Sequence, residues 1–479
     1  MVVNVFLKIH QDSMGNNAVT NSQSPNQETN DSDLQELKKV ATKGAYWTIA
    51  NYGLSQAFRF GSNLILTRLL FPDLFGLMSL VNVIIMGLNL FSDIGVGTSI
   101  IRSKRGNDPE FLNSAWTMQV IRGFGIWIVA TAIAYPVSKL YESPELVWLI
   151  PVIAINSIIT GFNSTGLFTS YRNLAVKRLV IQELVTQLIS LAVMITWAWL
   201  YPSIWALVAG TLLSGLIHMI WSHFLVPGQR SRFHWDKTAA HELFSFGKWI
   251  FVSTVLTFLA GQADRVILGK IFSLEILGVY TIALTLSDVP RQMVAGLSGK
   301  VIFPTLSRLA HMPRPEFRQQ LLNSRKRILL LLAFGLAIMV SFGDLLILFL
   351  YDKRYEQAAW MLPLLAIGVW PNMLSQTIDQ ALFAIGKPSY AAMGNFFRFL
   401  FNIIGIPLGF LHFGIVGAII VVAMNDVPFY FVITFGVARE GLSSISQDVK
   451  ATLIFVASLG ILVCGRWLLG FGLPISGML

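Results

Sequence analysis

Cysteine and charge are both scarce in this chain of 479 residues. Its one cysteine, Cys464, lies in an apolar run, so it has no partner for a disulfide within the chain. Only 13% of the residues are Asp, Glu, Lys or Arg, about half the share typical of soluble domains, whereas 54% are hydrophobic. This composition predicts a protein that is solvated by lipid over much of its surface.

Sequence patterns of catalytic and metal sites are also missing. The seven histidines are scattered, and no phosphate loop, serine triad or dinucleotide fingerprint occurs. The net charge of +10 comes from basic residues that punctuate apolar runs, without the interleaved aromatics of a nucleic-acid surface. We therefore predict no enzyme activity, no catalytic residues, no metal, no cofactor and no nucleic-acid partner.

Long apolar runs recur along the chain, and a bilayer core needs about 20 apolar residues per helix. Thirteen runs meet this length, which predicts an all-α polytopic membrane protein. The predicted spans are 45–67, 75–98, 115–136, 145–167, 179–199, 203–224, 247–268, 277–299, 327–350, 358–384, 389–411, 414–437 and 450–470.

The distribution of Lys and Arg predicts the orientation, because these residues collect on the cytoplasmic side. With the N-terminus inside, 23 of them fall in inner stretches and six in outer ones. The stretch 300–326 carries six and Arg327 follows directly, so this part of the chain could attract anionic membrane lipids or could merely set the topology. We therefore expect a cytoplasmic N-terminus, and thirteen spans would put the C-terminus outside.

The spans group into two halves separated by a polar gap. The expected domains are a disordered cytoplasmic arm (1–37), an N-terminal six-helix lobe (38–224), a cytoplasmic linker (225–246), a C-terminal six-helix lobe (247–438) and a final loop and helix (439–479).

Two segments, one near the start of each half, are variants of one pattern. Asn63–Gly76 and Arg265–Gly278 each lie between two long apolar runs. Internal repeats are common in transporters, which handle substrate where the repeats meet. The matched pairs are Ile65 with Ile267, Leu66 with Leu268, Arg68 with Lys270, Asp73 with Glu275, and Gly76 with Gly278.

Four arginines lie inside predicted spans, where a charge is costly and usually faces a cavity. Arg122, Arg291 and Arg398 each lie about 10–14 Å from the inner boundary, and Arg59 about 20 Å from it. An arginine fork pairs with phosphate in a bidentate manner and stays charged when desolvated. We predict that these four residues bind substrate. Neutralisation by a neighbouring acid is the alternative, strongest for Arg291, which follows Asp288 by three residues.

Acidic residues also occur within the spans. Asp93, Asp379 and Asp426 are candidates for coupling transport to H⁺ or Na⁺, because burial raises a carboxyl pKa toward the working pH. Pairing with the intramembrane arginines is the other possibility.

Four motifs resemble the polysaccharide transporter family, the Wzx-type oligosaccharide flippases of the multidrug/oligosaccharidyl-lipid/polysaccharide (MOP) exporter superfamily. The resemblance covers about residues 40–440 and implies two six-helix lobes in a parallel repeat around a cationic cavity, followed by one or two further helices. The motifs are Leu66–Gly76, Ser92–Ser99, Ala263–Lys270 and Leu277–Ala283.

The resemblance also implies a function. It predicts that the protein flips an undecaprenyl-diphosphate-linked oligosaccharide across the bacterial cytoplasmic membrane, alongside polymerase and glycosyltransferases of the same pathway. Trp47, Tyr52 and Trp370 would be candidates to stack on sugars. A multidrug or cation extruder, a peptidoglycan-precursor flippase and a membrane glycan polymerase or ligase are the alternatives.

Overall fold

The computed structural model describes residues 53–475 except 94, 104, 173–175, 227–230 and 299–301. The predicted N-terminal arm, Trp47 and Tyr52 therefore lie outside the described residues. Within the described ranges the regular structure is helical throughout, with no strand. This confirms the all-α class.

The N-terminal half consists of eight described helices. They are α1 (53–69), α2 (Pro72–Phe91), α3 (Val96–Arg102), α4 (Pro109–Leu140), α5 (Leu146–Gly161), α6 (Gly166–Arg172), α7 (Val176–Leu200) and α8 (Ile204–Ser222). Its main core is a cluster of buried side chains from α1, α2, α4, α5, α7 and α8. The polar gap then leads into the second half.

The C-terminal half contains ten described α-helices and one turn of 3₁₀ helix at Lys353–Tyr355. They are α9 (Lys237–Ile271), α10 (Leu274–Ser287), α11 (Val289–Leu297), α12 (Phe303–Leu309), α13 (Arg314–Leu350), α14 (Ala358–Gln376), α15 (Asp379–Ala384), α16 (Ser389–Ala423), α17 (Asp426–Arg439) and α18 (Ile445–Leu468).

Eight helical stretches of the described residues are long and apolar enough to cross a membrane, and α5 and α10 are shorter apolar helices. Every span predicted from the sequence overlaps a helical stretch. The longest stretch, Ser389–Arg439, contains two predicted spans and bends back at Gly414, whose φ of 59° suits glycine. Gly409 and Gly417 then pack backbone to backbone across this turn.

The basic stretch 300–326 is not the surface loop that its charge suggested. Its described residues form α12, a short turn at 310–313 and the first turns of α13. Arg325 is only 2% exposed, because its guanidinium pairs with Asp448 and donates to the carbonyl oxygen of Leu374 at 2.6 Å. This arginine therefore lies inside the protein and is not available to lipid headgroups.

The last helix, α18, is joined to α13 by a buried ion pair at each end. Arg325 of α13 pairs with Asp448 near the starts of the helices, and Arg466 of α18 donates to both oxygens of Asp344, at 2.5 Å each, near their ends. The helices therefore run parallel. Along each helix the pairs are about 27–29 Å apart, close to the thickness of a hydrocarbon core.

Part of the predicted linker is an extended strap on the N-terminal half. Asp236 caps α9 by accepting from the Thr238 backbone N–H at 2.9 Å. Hydrogen bonds from Thr238 are the main cause that lowers the pKa of Asp236 to about 2, and Arg105 contributes further. Alternate backbone N–H groups of the strap donate to α4, from Arg232 to Asn113, from His234 to Thr117 and from Asp236 to Ser114.

The two paired segments meet where α2 and α10 begin, at the end of the molecule predicted to face outside. A Cβ atom on Gly76 would lie 2.0 Å from the carbonyl oxygen of Leu274, and one on Gly278 would lie 1.8 Å from that of Pro72. The backbones therefore touch with no side chain between them. This contact explains why glycine recurs in both copies.

Each paired segment also binds a connecting loop of the other half. The guanidinium of Arg354 donates to the carbonyl oxygens of Thr67 and Arg68, at 3.2 and 3.1 Å, near the end of α1. In the converse contacts, the Tyr141 hydroxyl donates to the carbonyl oxygen of Val266 at 3.2 Å and Lys270 donates to Glu142 at 2.6 Å. The hydrogen bond from Lys270 lowers the pKa of Glu142.

Candidate functional site

Two of the four predicted arginines converge on one carboxylate in the C-terminal half. Arg291 donates to Asp426 at 2.5 Å, and a guanidinium nitrogen of Arg398 lies 3.2 Å from the other oxygen of the same side chain. Asp426 is fully buried and also accepts from Asn372 at 3.1 Å. Asp288 lies 3.4 Å from Arg291. We call Asp288, Arg291, Asn372, Arg398 and Asp426 the arginine cluster.

Helix ends place the acids of this cluster. Asp288 follows the last residue of α10 and precedes α11, where Pro290 in the first turn lacks the N–H that an uninterrupted helix would need. Asp426 is the first residue of α17. A helix N-terminus favours negative charge, so the cluster forms where two helices begin beside two cations.

The arginines of the cluster have hydrogen-bonding capacity left over. The Nε atoms of Arg291 and Arg398 are buried without a hydrogen-bond partner among the described residues, and so is Oδ1 of Asp288. The cleft beside them, lined also by Asp264 and Arg265, has a volume of about 30 Å³. That space suits about one water molecule. A larger anion would reach these donors only after the helices move apart.

Asp264 and Arg265 of the cleft wall have partners of their own. Asp264 is buried and accepts a hydrogen bond from Tyr280. Arg265 donates to Gln262, one turn earlier on α9, at 2.5 Å. These two residues therefore form the polar edge of the cleft without joining the arginine cluster.

Arg122 lies apart from the cluster, in the N-terminal half. It donates to the carbonyl oxygen of Asn89 at 2.6 Å and to the Ser92 hydroxyl at 3.1 Å, at the C-terminal end of α2. A cation at this position stabilises the helix dipole. Asp93 follows directly and accepts from the Gly95 backbone N–H at 2.9 Å. Arg122 and Asp93 thus lie together at the predicted Ser92–Ser99 motif.

Arg59 is exposed on α1, and none of the described ion pairs includes it. One turn earlier on the same helix, Gln56 donates to Gln292 at 2.9 Å. Gln292 is the neighbour of Arg291. This contact crosses between the halves and brings the helix of Arg59 to the helix that carries one arginine of the cluster.

Asp379, the remaining candidate for ion coupling, is 8% exposed at the start of α15. Its carboxylate accepts from Gln380 at 3.0 Å, and no ion pair within the described ranges involves it. Among all the residues that the structure describes, no group of three or more His, Cys, Asp or Glu is arranged to hold a metal ion.

Trp370 has a different role from the predicted one. It is 5% exposed and stacks on Phe455 with ring centroids 4.7 Å apart, and its indole N–H donates to Thr452 at 3.0 Å. In this conformation its ring is therefore not open to a sugar. It fastens α14 to α18 instead.

The sequence interpretation missed both ion pairs between α13 and α18. Arg325 belongs to the predicted inner stretch 300–326 and Arg466 to the last predicted span, 450–470, and both are about 2% exposed. A signal was present, because Asp344 and Arg466 both lie within predicted spans. Two opposite charges at one depth indicate a possible pair.

Comparison with known proteins agrees with this architecture. Residues 65–360 match the family described as "Polysaccharide biosynthesis protein". The chain is 21% identical to the succinoglycan biosynthesis transport protein ExoT of Rhizobium meliloti (strain 1021), over 69% of this chain and 66% of the relative. It is 22% identical to the teichuronic acid biosynthesis protein TuaB of Bacillus subtilis (strain 168), over 62% of each protein. The chain thus spans less than two thirds of either relative.

Two solved structures share the fold. One is an inward-facing multidrug resistance MATE family transporter of the MOP superfamily, with a TM-score of 0.63 and 14% identity, over 83% of this chain and 96% of that one. The other is the Lipid II flippase MurJ in an inward closed conformation, with the same score and identity, over 87% and 98%. The chain therefore belongs to the polysaccharide biosynthesis protein family and shares the fold of these two structures, as its sequence motifs predicted.

Proposed function

We propose that the protein flips an undecaprenyl-diphosphate-linked oligosaccharide from the inner to the outer leaflet of the bacterial cytoplasmic membrane by alternating access. The observation that carries the proposal is the arginine cluster, in which two guanidiniums share one buried carboxylate and keep buried Nε donors unused. A diphosphate offers several charged oxygens to such donors.

In this mechanism the diphosphate exchanges with Asp426. When the halves separate on the inner side, the phosphate oxygens pair with Arg291 and Arg398, and Asp426 keeps its hydrogen bond from Asn372. Arg59 approaches the same lipid from α1, since the Gln56–Gln292 contact holds that helix beside α11. Arg122 supports the N-terminal wall of the path through its contacts with α2.

Return of Asp426 to its arginines then favours release on the outer side. The driving force would come from H⁺ or Na⁺ bound at acids such as Asp379, which is buried without a described cationic partner, or Asp93. Glycosyltransferases would supply the lipid-linked oligosaccharide on the inner side, and a polymerase would use it on the outer side. The N-terminus is cytoplasmic in this scheme.

Substitution of Arg398 tests the proposal. Arg398→Gln should reduce surface glycan at least ten-fold in cells that depend on this protein, while Arg398→Lys keeps the charge and should retain part of the activity. Arg439→Gln removes an exposed arginine at the end of α17, outside the cluster, and should behave like wild type. Surface glycan is measured by antibody or lectin binding, and folded protein by size-exclusion chromatography.

Flipping assays in reconstituted vesicles distinguish the competing substrates. We expect transport of a lipid-linked oligosaccharide, and none of a peptidoglycan precursor or a cationic dye. Undiminished glycan export by well-folded Arg398→Gln would contradict the proposed role of the cluster. Dye extrusion without lipid flipping would replace the function with drug export.

A further inference from the structure

A groove lies between the first turns of α13 and α18, on the side predicted to face the cytoplasm. Its volume is about 370 Å³. Its floor includes Leu322, Leu330 and Ile454, and its rim carries three cations, Arg318, Lys326 and Lys450. We call it the α13–α18 groove.

Charge and apolar surface follow one another along both helices that form the groove. On α13, Lys326 precedes Leu330 by four residues, and on α18, Lys450 precedes Ile454 by four. Four residues are one helical turn, or about 6 Å along the axis. The two helices are parallel, so both place their cation nearer the cytoplasmic end and their apolar residue deeper in the bilayer.

Among the described residues, no carboxylate pairs with a rim cation. None of the ion pairs within the described ranges includes Arg318, Lys326 or Lys450, whereas Arg325 and Asp448, just behind the groove, neutralise each other. Arg318 donates to the carbonyl oxygen of Ser443 at 2.7 Å, which fixes its guanidinium at the mouth. The rim thus carries three positive charges over an apolar floor.

We propose that the α13–α18 groove binds an anionic phospholipid of the inner leaflet. Its phosphate and headgroup lie among the three cations and the Ser446 hydroxyl, and one acyl chain follows the floor past Leu330 and Ile454. A lipid anion complements the rim charge, and a chain covers the apolar floor. This lipid fastens α18, which otherwise has a largely lipid-exposed surface, to α13.

Native mass spectrometry of the full-length purified protein tests this site. Phosphatidylglycerol and phosphatidylethanolamine with identical chains are offered at equal concentration. We expect wild type to retain phosphatidylglycerol preferentially and Lys326→Gln with Lys450→Gln to lose at least ten-fold of that bound fraction. The matched control, Lys387→Gln with Arg439→Gln, removes two exposed cations elsewhere and should bind like wild type.

A second variant separates the apolar floor from the charge. Ile454→Trp fills the groove, keeps all three cations and should also lose the lipid, with an unchanged size-exclusion profile. Equal retention of both lipids by wild type, or equal loss in the control pair, would overturn the proposal. Displacement of the lipid by glycerol phosphate at similar concentration would also overturn it, since that result would show a site for free anions.

Discussion

The C-terminal half holds two kinds of buried arginine. Arg325 and Arg466 each have a carboxylate of their own and further carbonyl or hydroxyl partners, and both are about 2% exposed. Arg291 and Arg398 share Asp426 and keep 22% and 13% of their side-chain surface exposed. An unpaired Nε atom does not distinguish the two kinds, because Arg466 has one as well.

The difference separates a structural arrangement from one suited to exchange. A matched ion pair is already neutral, so a charged ligand is not attracted to it. Breaking the pair leaves one unpaired ion in a low-dielectric interior. A shared carboxylate, with Asp288 as a second acid 3.4 Å from Arg291, leaves arginine donors available to a ligand. This contrast, more than depth in the membrane, identifies Arg291 and Arg398 as the stronger candidates for binding substrate.

Loss of one matched partner should have the largest effect on the fold. Arg466→Gln leaves Asp344 buried without a cation, which should cost about 3–5 kcal/mol of stability. Folded yield and the unfolding temperature in detergent should both fall sharply. Cys464→Ser changes an exposed residue of the same helix and is the control. A normal unfolding temperature for Arg466→Gln would remove the distinction drawn between the two arginine types.

Removal of the shared carboxylate should affect transport more than folding. Asp426→Asn keeps the hydrogen bond from Asn372 possible but leaves Arg398 without an acid and Arg291 with Asp288 alone, at a cost of about 1–3 kcal/mol. Because Asp426 no longer competes with the diphosphate, purified protein should retain more lipid-linked substrate and turn over more slowly. Mass spectrometry measures the retained lipid. Reduced retention with normal turnover would contradict the exchange step.

Apolar replacement of a whole matched pair should have the smallest effect. Asp344→Leu with Arg466→Met removes both charges together, and such replacements are often neutral. We expect stability within about 1 kcal/mol of wild type and near-normal glycan export. A double variant as unstable as Arg466→Gln alone would show that the pair does more than neutralise itself.

The sequence predicted the helices well because their signals are local. Runs of about 20 apolar residues coincide with helical stretches, and the boundary placed between 411 and 414 is the turn at Gly414. The shared glycine of the two paired segments also had a structural cause, the backbone contact between Gly76 and Gly278. Both features depend on residues that are near in sequence or matched by the repeat.

The partners of the charged residues could not be predicted in this way. The position of Arg398 along its helix gives its depth, but not which neighbouring helix it faces. Its pairing with Asp426 and the contact between Gln56 and Gln292 depend on helix rotation and packing. One sequence contains no direct information on these quantities. For the same reason the burial of Arg325, which lies outside the apolar run, could not be predicted.

The contact between Gly76 and Gly278 offers a way to shift the equilibrium between conformations. A methyl group at either position would clash with a backbone carbonyl oxygen, 2.0 Å away at Gly76 and 1.8 Å away at Gly278. No change of side-chain rotamer can remove this clash. Relief comes only when the ends of α2 and α10 separate. Gly76→Ala should therefore raise the population open on that side, and labelling of an introduced cysteine would report it. The absence of a side chain at Gly76 and Gly278 therefore allows the two helix ends to close against each other.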